Sequence, residues 1–134
     1  MRWASVFDML ESNGLITIAF RRLWVDGGTY RKDADPTLAI PATLPGTWFT
    51  SPYCHIEPAM AFQLGLPILL LRERGVLADG ILERGVVGMY MPEFSVDAAT
   101  SYLQSPEWGQ LIARWEGQVR AVRDAKGHPP KLFG

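Results

Sequence analysis

The residues with the most chemistry in this chain lie in one stretch, Ser51-Pro52-Tyr53-Cys54-His55-Ile56-Glu57. Ser51 suits a helix N-cap and Pro52 the first helical position. Ile56, Ala59, Met60, Gln63 and Leu64 then follow at helical spacing until Gly65, which reads as the helix end. Glu57 therefore stands near a helix N-terminus, with apolar Met60 and Ala61 on the next turn. A carboxylate in such a place can attack an electrophilic sugar carbon, stabilise an oxocarbenium-like transition state or bind ribose hydroxyls. The competing role is structural: Glu57 caps its own helix or pairs with Arg21, Arg22 or Arg31. Pro58 bears on both roles, because it deprives the Cys54 carbonyl of its helical donor and biases Glu57 away from helical angles. Either the first turn is kinked, or the regular helix begins at Pro58.

Other reactive side chains carry less. Cys54 and His55 are neighbours, and neighbours on a helix point about 100° apart, so they do not form a nucleophile–base pair. Cys54 reads better as a small buried hydrophobe. Two histidines and one cysteine without ligand spacing argue against a structural metal site, and His128 sits in a proline-flanked tail. Residues 21–50 hold Arg21, Arg22, Trp24, Tyr30, Arg31, Trp48 and Phe49, a mixture suited to gripping a flat or anionic ligand. The same aromatics would equally pin a loop to the core. Gly27-Gly28 followed by Tyr30-Arg31 can cradle a phosphate with Arg31 as clamp, although this is neither a Walker loop nor a dinucleotide fingerprint.

The elements that must position these groups alternate. Trp3, Val6, Phe7 and Leu10 predict a helix over 2–11, closed by Ser12-Asn13-Gly14 with Gly14 as a left-handed cap. Apolar runs predict buried strands at 15–20, 67–72 and 86–91. The segment 21–50, rich in glycine and proline, reads as a long loop. A short helix is expected over 76–83 and a weak one over 96–103. The last, over 105–126, has Ser105 as N-cap and a stripe of Trp108, Leu111, Ile112, Trp115, Val119 and Val122; residues 127–134 form a tail. Strands alternating with helices predict an α/β fold with a short, mostly parallel sheet. Ligands of such sheets bind beyond the carboxyl ends of the strands, here Arg21, Arg22, Arg72, Glu73 and Glu93.

The Tyr53-Cys54-His55-Ile56-Glu57 run resembles the aromatic-Cys-x-x-Glu motif of Toll/interleukin-1 receptor (TIR) domains, with Tyr53 where that family usually has tryptophan. Leu66 to Leu71 resembles the strand that follows the motif helix. The wider stretch, with Glu57, Ala61, Leu64-Gly65 and Pro67, also resembles nucleoside 2-deoxyribosyltransferase-like proteins. The resemblance implies a flavodoxin- or Rossmann-like three-layer sandwich, here lacking the opening strand of those families. It implies Glu57 as catalytic residue acting at an N-glycosidic bond, with Ser51, Tyr53 and Cys54 as motif companions. NAD or a nucleoside or nucleotide would be the substrate or ligand, and no separate cofactor is implied. The alternative is a nucleotide-sensing or protein-interaction module without catalysis.

Composition sets bounds on partners. The 134 residues make one domain, with 48% hydrophobic and 20% charged residues, which argues against a disordered chain. A net charge of -1 gives no reason to expect nucleic acid or an anionic membrane as partner. The longest apolar run, Leu66–Leu71, is far too short to span a bilayer, and one cysteine allows no internal disulfide. The expected compartment is the cytoplasm. Three parallel strands leave open edges, so self-association as a homo-oligomer is expected.

Overall fold

A computed structural model describes residues 6–33, 35, 37, 42–86 and 90–125. Its centre is a parallel three-stranded sheet in the order β1 (Leu15–Ala19), β4 (Ile68–Glu73), β5 (Glu93–Phe94). Leu15 stands opposite Ile68 and Ala19 opposite Arg72, and Arg72 in turn stands opposite Glu93. The α/β class and the short parallel sheet agree with expectation. The third strand differs. The expected span 86–91 falls partly on 87–89, outside the described residues, and the pairing lies farther on, at Glu93–Phe94. Hydrophobicity marked the approach to the edge, while the pairing itself is made by a charged residue and a phenylalanine. The tail 127–134, with His128, also lies outside the described residues.

β4 is buried on both faces, which is why it reads as an unbroken apolar run. Ile68 and Leu70 join a cluster with Ala19, Val76, Leu82, Met91 and Ala61 of helix α2 (Tyr53–Gln63). Leu69, Leu71 and Phe94 form a second cluster. Against it pack Tyr102 of α3 (Ala99–Leu103) and Trp108, Leu111, Ile112 and Trp115 of α4 (Pro106–Asp124). The helix termini follow local chemistry. Ser105 Oγ accepts from the Trp108 amide at 3.2 Å, capping α4 with Pro106 at the first position. Gly65, at φ 72°, ends α2: its amide donates to Phe62 O and the Leu66 amide to Ala61 O, the paired bonds of a Schellman motif.

Gly14 has a different job from the one its position predicts. It is absent from the residues with positive φ, so it is not the left-handed cap of α1 (Val6–Glu11). A Cβ there would lie 2.6 Å from Val119 Cγ2 and 3.2 Å from Trp115, so the glycine lets α4 approach the chain just before β1.

The largest departure is at 21–50. Most of this segment is an antiparallel ribbon, β2 (Leu23–Tyr30) against β3 (Ala42–Phe49), inserted between β1 and α2. Glycines and prolines masked the strands, and the ribbon is largely exposed, so the alternation that betrays a half-buried strand is missing. Pro45 is tolerated because each strand of a two-stranded ribbon is an edge. Trp24 and Trp48 stand opposite each other, edge to face at 5.3 Å, and Gly46 leaves room for the Trp24 ring. The helix expected over 76–83 is a single 3-10 turn, Gly80–Leu82, anchored by fully buried Leu82.

The Tyr102 hydroxyl is buried with no hydrogen-bond partner among the described residues. Burial first, and the charge of Glu107 second, push its pKa up to about 12 from 10.0. The folded state thus holds this proton more tightly than the unfolded chain. Its contribution to stability is complete below the unfolded value and is lost as pH rises through the folded one. Urea unfolding at about pH 9 and about pH 11.5 should show a smaller loss of stability for Tyr102→Phe than for wild type. Equal losses would refute this.

Candidate functional site

The carboxyl ends of β1 and β4, the root of the ribbon and the start of α2 converge on one edge of the sheet. Arg21 is held there by its amide and by one edge of its guanidinium. Its amide donates to Glu73 Oε2 at 2.7 Å, and its Nε and Nη2 both donate to the Arg74 carbonyl at 2.9 and 2.6 Å. The guanidinium lies 5.7 Å from the Trp48 ring centre and passes over Gly75, where a Cβ would sit 2.9 Å from Nη2. Gly75 also has φ 91°, so both conformation and space require glycine. The ribbon root is tied to the same place by the Leu77 amide, which donates to Trp48 O at 2.8 Å.

Arg22 is held differently. Its amide donates to Phe49 O, and its Nη1 donates to Ser51 Oγ at 3.0 Å. Ser51 Oγ also accepts from the Tyr53 amide at 3.3 Å, so this serine joins the arginine to the first turn of α2. The helix begins at Tyr53 and runs through Pro58, which is buried. Pro58 supplies no amide to the Cys54 carbonyl, and the helix already begun at Tyr53 is not the one that would start only at Pro58.

Glu57 lies in the second turn, half-buried, four residues from exposed Tyr53 and so on the same flank of the helix. Among the described residues its carboxylate forms no hydrogen bond or ion pair. The structural role open to it in the sequence, pairing with Arg21, Arg22 or Arg31, is not the arrangement found: Arg21 goes to Glu73 and Arg22 to Ser51. Cys54 is part-buried, its thiol donating to Ile18 O at 3.7 Å and accepting from Thr50 Oγ1 at 3.6 Å. His55 faces the other way, with Nε2 4.0 Å from Asp79 Oδ1 and Nδ1 against Gly80.

Of the residues nominated by sequence, the fold thus gathers Arg21, Arg22, Trp48, Ser51, Tyr53 and Glu57 around the start of α2. It does not bring Tyr30 and Arg31 there. Tyr30 ends β2 at the far end of the ribbon, and at the usual strand rise it is about 23 Å from Leu23. Arg31 follows at φ 54° in the turn.

Arg72 and Glu93, which the sequence places at this edge as ligand-facing residues, are spent on each other, and Arg84, which the sequence does not single out, joins them. Arg72, almost fully buried, donates to Glu93 and to the Val76 carbonyl, and Arg84 reaches the same Glu93 oxygen at 2.9 Å. Among the described residues no group of three or more His, Cys, Asp or Glu could hold a metal ion, and no helix is long and apolar enough to cross a membrane. No protein-family model, no curated protein and no solved structure matches the chain.

Proposed function

We propose that this chain is a flavodoxin-like domain that binds a nucleoside or nucleotide at the carboxyl edge of its sheet and cleaves or transfers at the N-glycosidic bond. NAD or a deoxynucleoside is the substrate class, and no separate cofactor or metal takes part. The observation that carries the reading is Glu57: a half-buried carboxylate near the start of α2, at the ligand edge of a parallel sheet, with no ion-pair partner among the described residues while Arg21 and Arg22 are engaged elsewhere. The likeness of Tyr53-Cys54-x-x-Glu57 to the motif of glycosidic-bond enzymes gives that carboxylate a reaction.

In this reaction a Glu57 oxygen bonds to the anomeric carbon while the carbon–nitrogen bond breaks. The electron pair leaves with the base nitrogen, which takes up a proton. Water, or the nitrogen of a second base, then attacks the same carbon and frees the carboxylate. Tyr53, exposed and on the flank of Glu57, offers a stacking face, and Ser51 and Arg22 offer polar contacts. The test is incubation with NAD and with the deoxynucleosides while free base is separated by chromatography. Base release above the uncatalysed background supports the reading, and background rates throughout the panel refute it.

One observation favours a second reading, a self-associating interaction module. β1 is an edge strand, and Ile16, Ile18 and Phe20 are 41%, 42% and 49% exposed. Ile18 and Phe20 line an apolar recess of about 200 Å³ that includes Phe94, Val96 and Leu103. Contiguous apolar surface beside an open strand edge is a place for a second copy to bind. Sedimentation at micromolar concentration should then give a dimer or larger species, and the double change Ile16→Lys and Ile18→Lys should give a monomer. A monomeric wild type excludes this reading.

A further inference from the structure

The ribbon is the least supported part of the fold. A two-stranded ribbon is marginal in water unless something covers a face, and β2 and β3 leave almost every residue beyond their root exposed. Their composition does not suit exposure. Open strand edges are ordinarily guarded by charged side chains, yet the two strands together hold one charge, Asp26, whose carboxylate accepts from Trp24 Nε1 at 2.8 Å. Alternate residues of a strand and their cross-strand partners share a face. One face of the ribbon therefore carries Trp24, Gly28 and Tyr30 of β2 with Leu44 and Ala42 of β3.

A second uncovered apolar surface precedes it along the chain. Ile16, Ile18 and Phe20 alternate on the face of β1 that meets Val96 and Leu103 across the recess. These five side chains, with Trp24 and Tyr30, are each 41% to 54% exposed. Half-exposed side chains of this size leave roughly 100 Å² each open. The β1 face alone thus offers roughly 500 Å², well short of the ~800 Å² that each partner gives to a standard interface. With the ribbon face it reaches roughly 700 Å² before backbone and polar atoms are counted. No charge on the β1 face and one on the ribbon face would have to be desolvated.

We propose that two copies of this chain exchange ribbons, the Trp24–Tyr30 face of each lying on the β1 face of the other. Each copy has one ribbon and one β1 face, so a two-fold axis makes both contacts at once and closes the assembly as a dimer. The inference rests on the second reading above, that β1 is a self-association face, and adds what covers it.

The experiment is sedimentation of the full chain at micromolar concentration with two double variants. Ile16→Lys with Ile18→Lys blocks the β1 face. Gly28→Glu with Tyr30→Glu blocks the ribbon face, and a Cβ at Gly28 meets nothing within 4 Å, so the ribbon itself is not crowded. Wild type should be a dimer, and each variant alone should dissociate at least about tenfold more readily. An equimolar mixture of the two should recover a dimer, because one of its contacts is wild type and the other sets lysines against glutamates. Hydrogen exchange on the wild type needs no variant: amides of the ribbon and of β1 should be protected together at micromolar concentration and lose that protection together on dilution. A monomeric wild type, or a dimer that survives the β1 change, overturns the reading and the inference alike. A dimer abolished by the β1 change but untouched by the ribbon change overturns the inference and leaves the reading standing. A mixture that stays monomeric does the same, as do ribbon amides that exchange equally fast at both concentrations.

Discussion

Glu57→Gln is expected to lower base release to the uncatalysed background, a loss of roughly three orders of magnitude or more. The amide keeps the shape of the side chain but removes the charge, and an amide oxygen neither attacks an anomeric carbon usefully nor stabilises positive charge upon it. Stability is the control. The Glu57 side chain makes no hydrogen bond or ion pair among the described residues, so the exchange removes none. The unfolding free energy should stay within about 0.5 kcal/mol of wild type. Glu57→Asp should lose most of the activity as well, because one methylene withdraws the carboxylate from its reaction distance. Cys54→Ala distinguishes the carboxylate from its neighbour: the thiol is turned to Ile18 O and should leave turnover largely intact. A Glu57→Gln protein that works at the wild-type rate would end the enzymatic reading.

Much of this arrangement could be read before any coordinates, and the reasons differ from element to element. β4 and α4 were legible because burial dictates their composition. A strand covered on both faces must be apolar throughout, and a helix over a sheet must carry its stripe at helical spacing. The start of α2 was legible because serine and proline act locally, and Glu57 was placed by counting from them. What the sequence concealed depends on distant contacts. Gly14 looked like a helix cap and is needed because Val119 lies above it. The ribbon buries little, so no hydrophobic period records it. The commitment of Arg21 to Arg74 and Glu73 spans more than fifty residues of chain, and nothing near Arg21 announces it. The division of labour among the arginines is thus a product of the fold.

Glu93→Ala is expected to be among the most destabilising single changes at this edge, by about 3 kcal/mol. Arg72 is only 8% exposed, and its charge is answered by the Glu93 carboxylate. Without that carboxylate the guanidinium keeps one acceptor, the Val76 carbonyl, and its Nε already lacks a partner among the described residues. A buried lysine could escape by releasing its proton; arginine cannot. For a chain of this size such a loss lowers the melting temperature by about 10 °C. Arg84 lies on the same oxygen but is 77% exposed on its side chain, so Arg84→Ala should cost no more than about 1 kcal/mol. Glu93→Gln keeps an acceptor and should fall between the two. The decisive comparison is the double change Arg72→Met with Glu93→Leu. Removing both charges removes the desolvation cost along with the attraction, and the double variant should regain most of the lost stability. If it is as unstable as Glu93→Ala, the damage comes from lost packing or strand pairing rather than an uncompensated charge. If Glu93→Ala unfolds like wild type, the ion pair does not hold this edge. The pair joins β4 to β5 at the register Arg72–Glu93, two residues before the Arg74 carbonyl that receives Arg21. Its loss should therefore loosen the carboxyl edge itself, so that ligand affinity falls with stability in Glu93→Ala and recovers with it in the double variant.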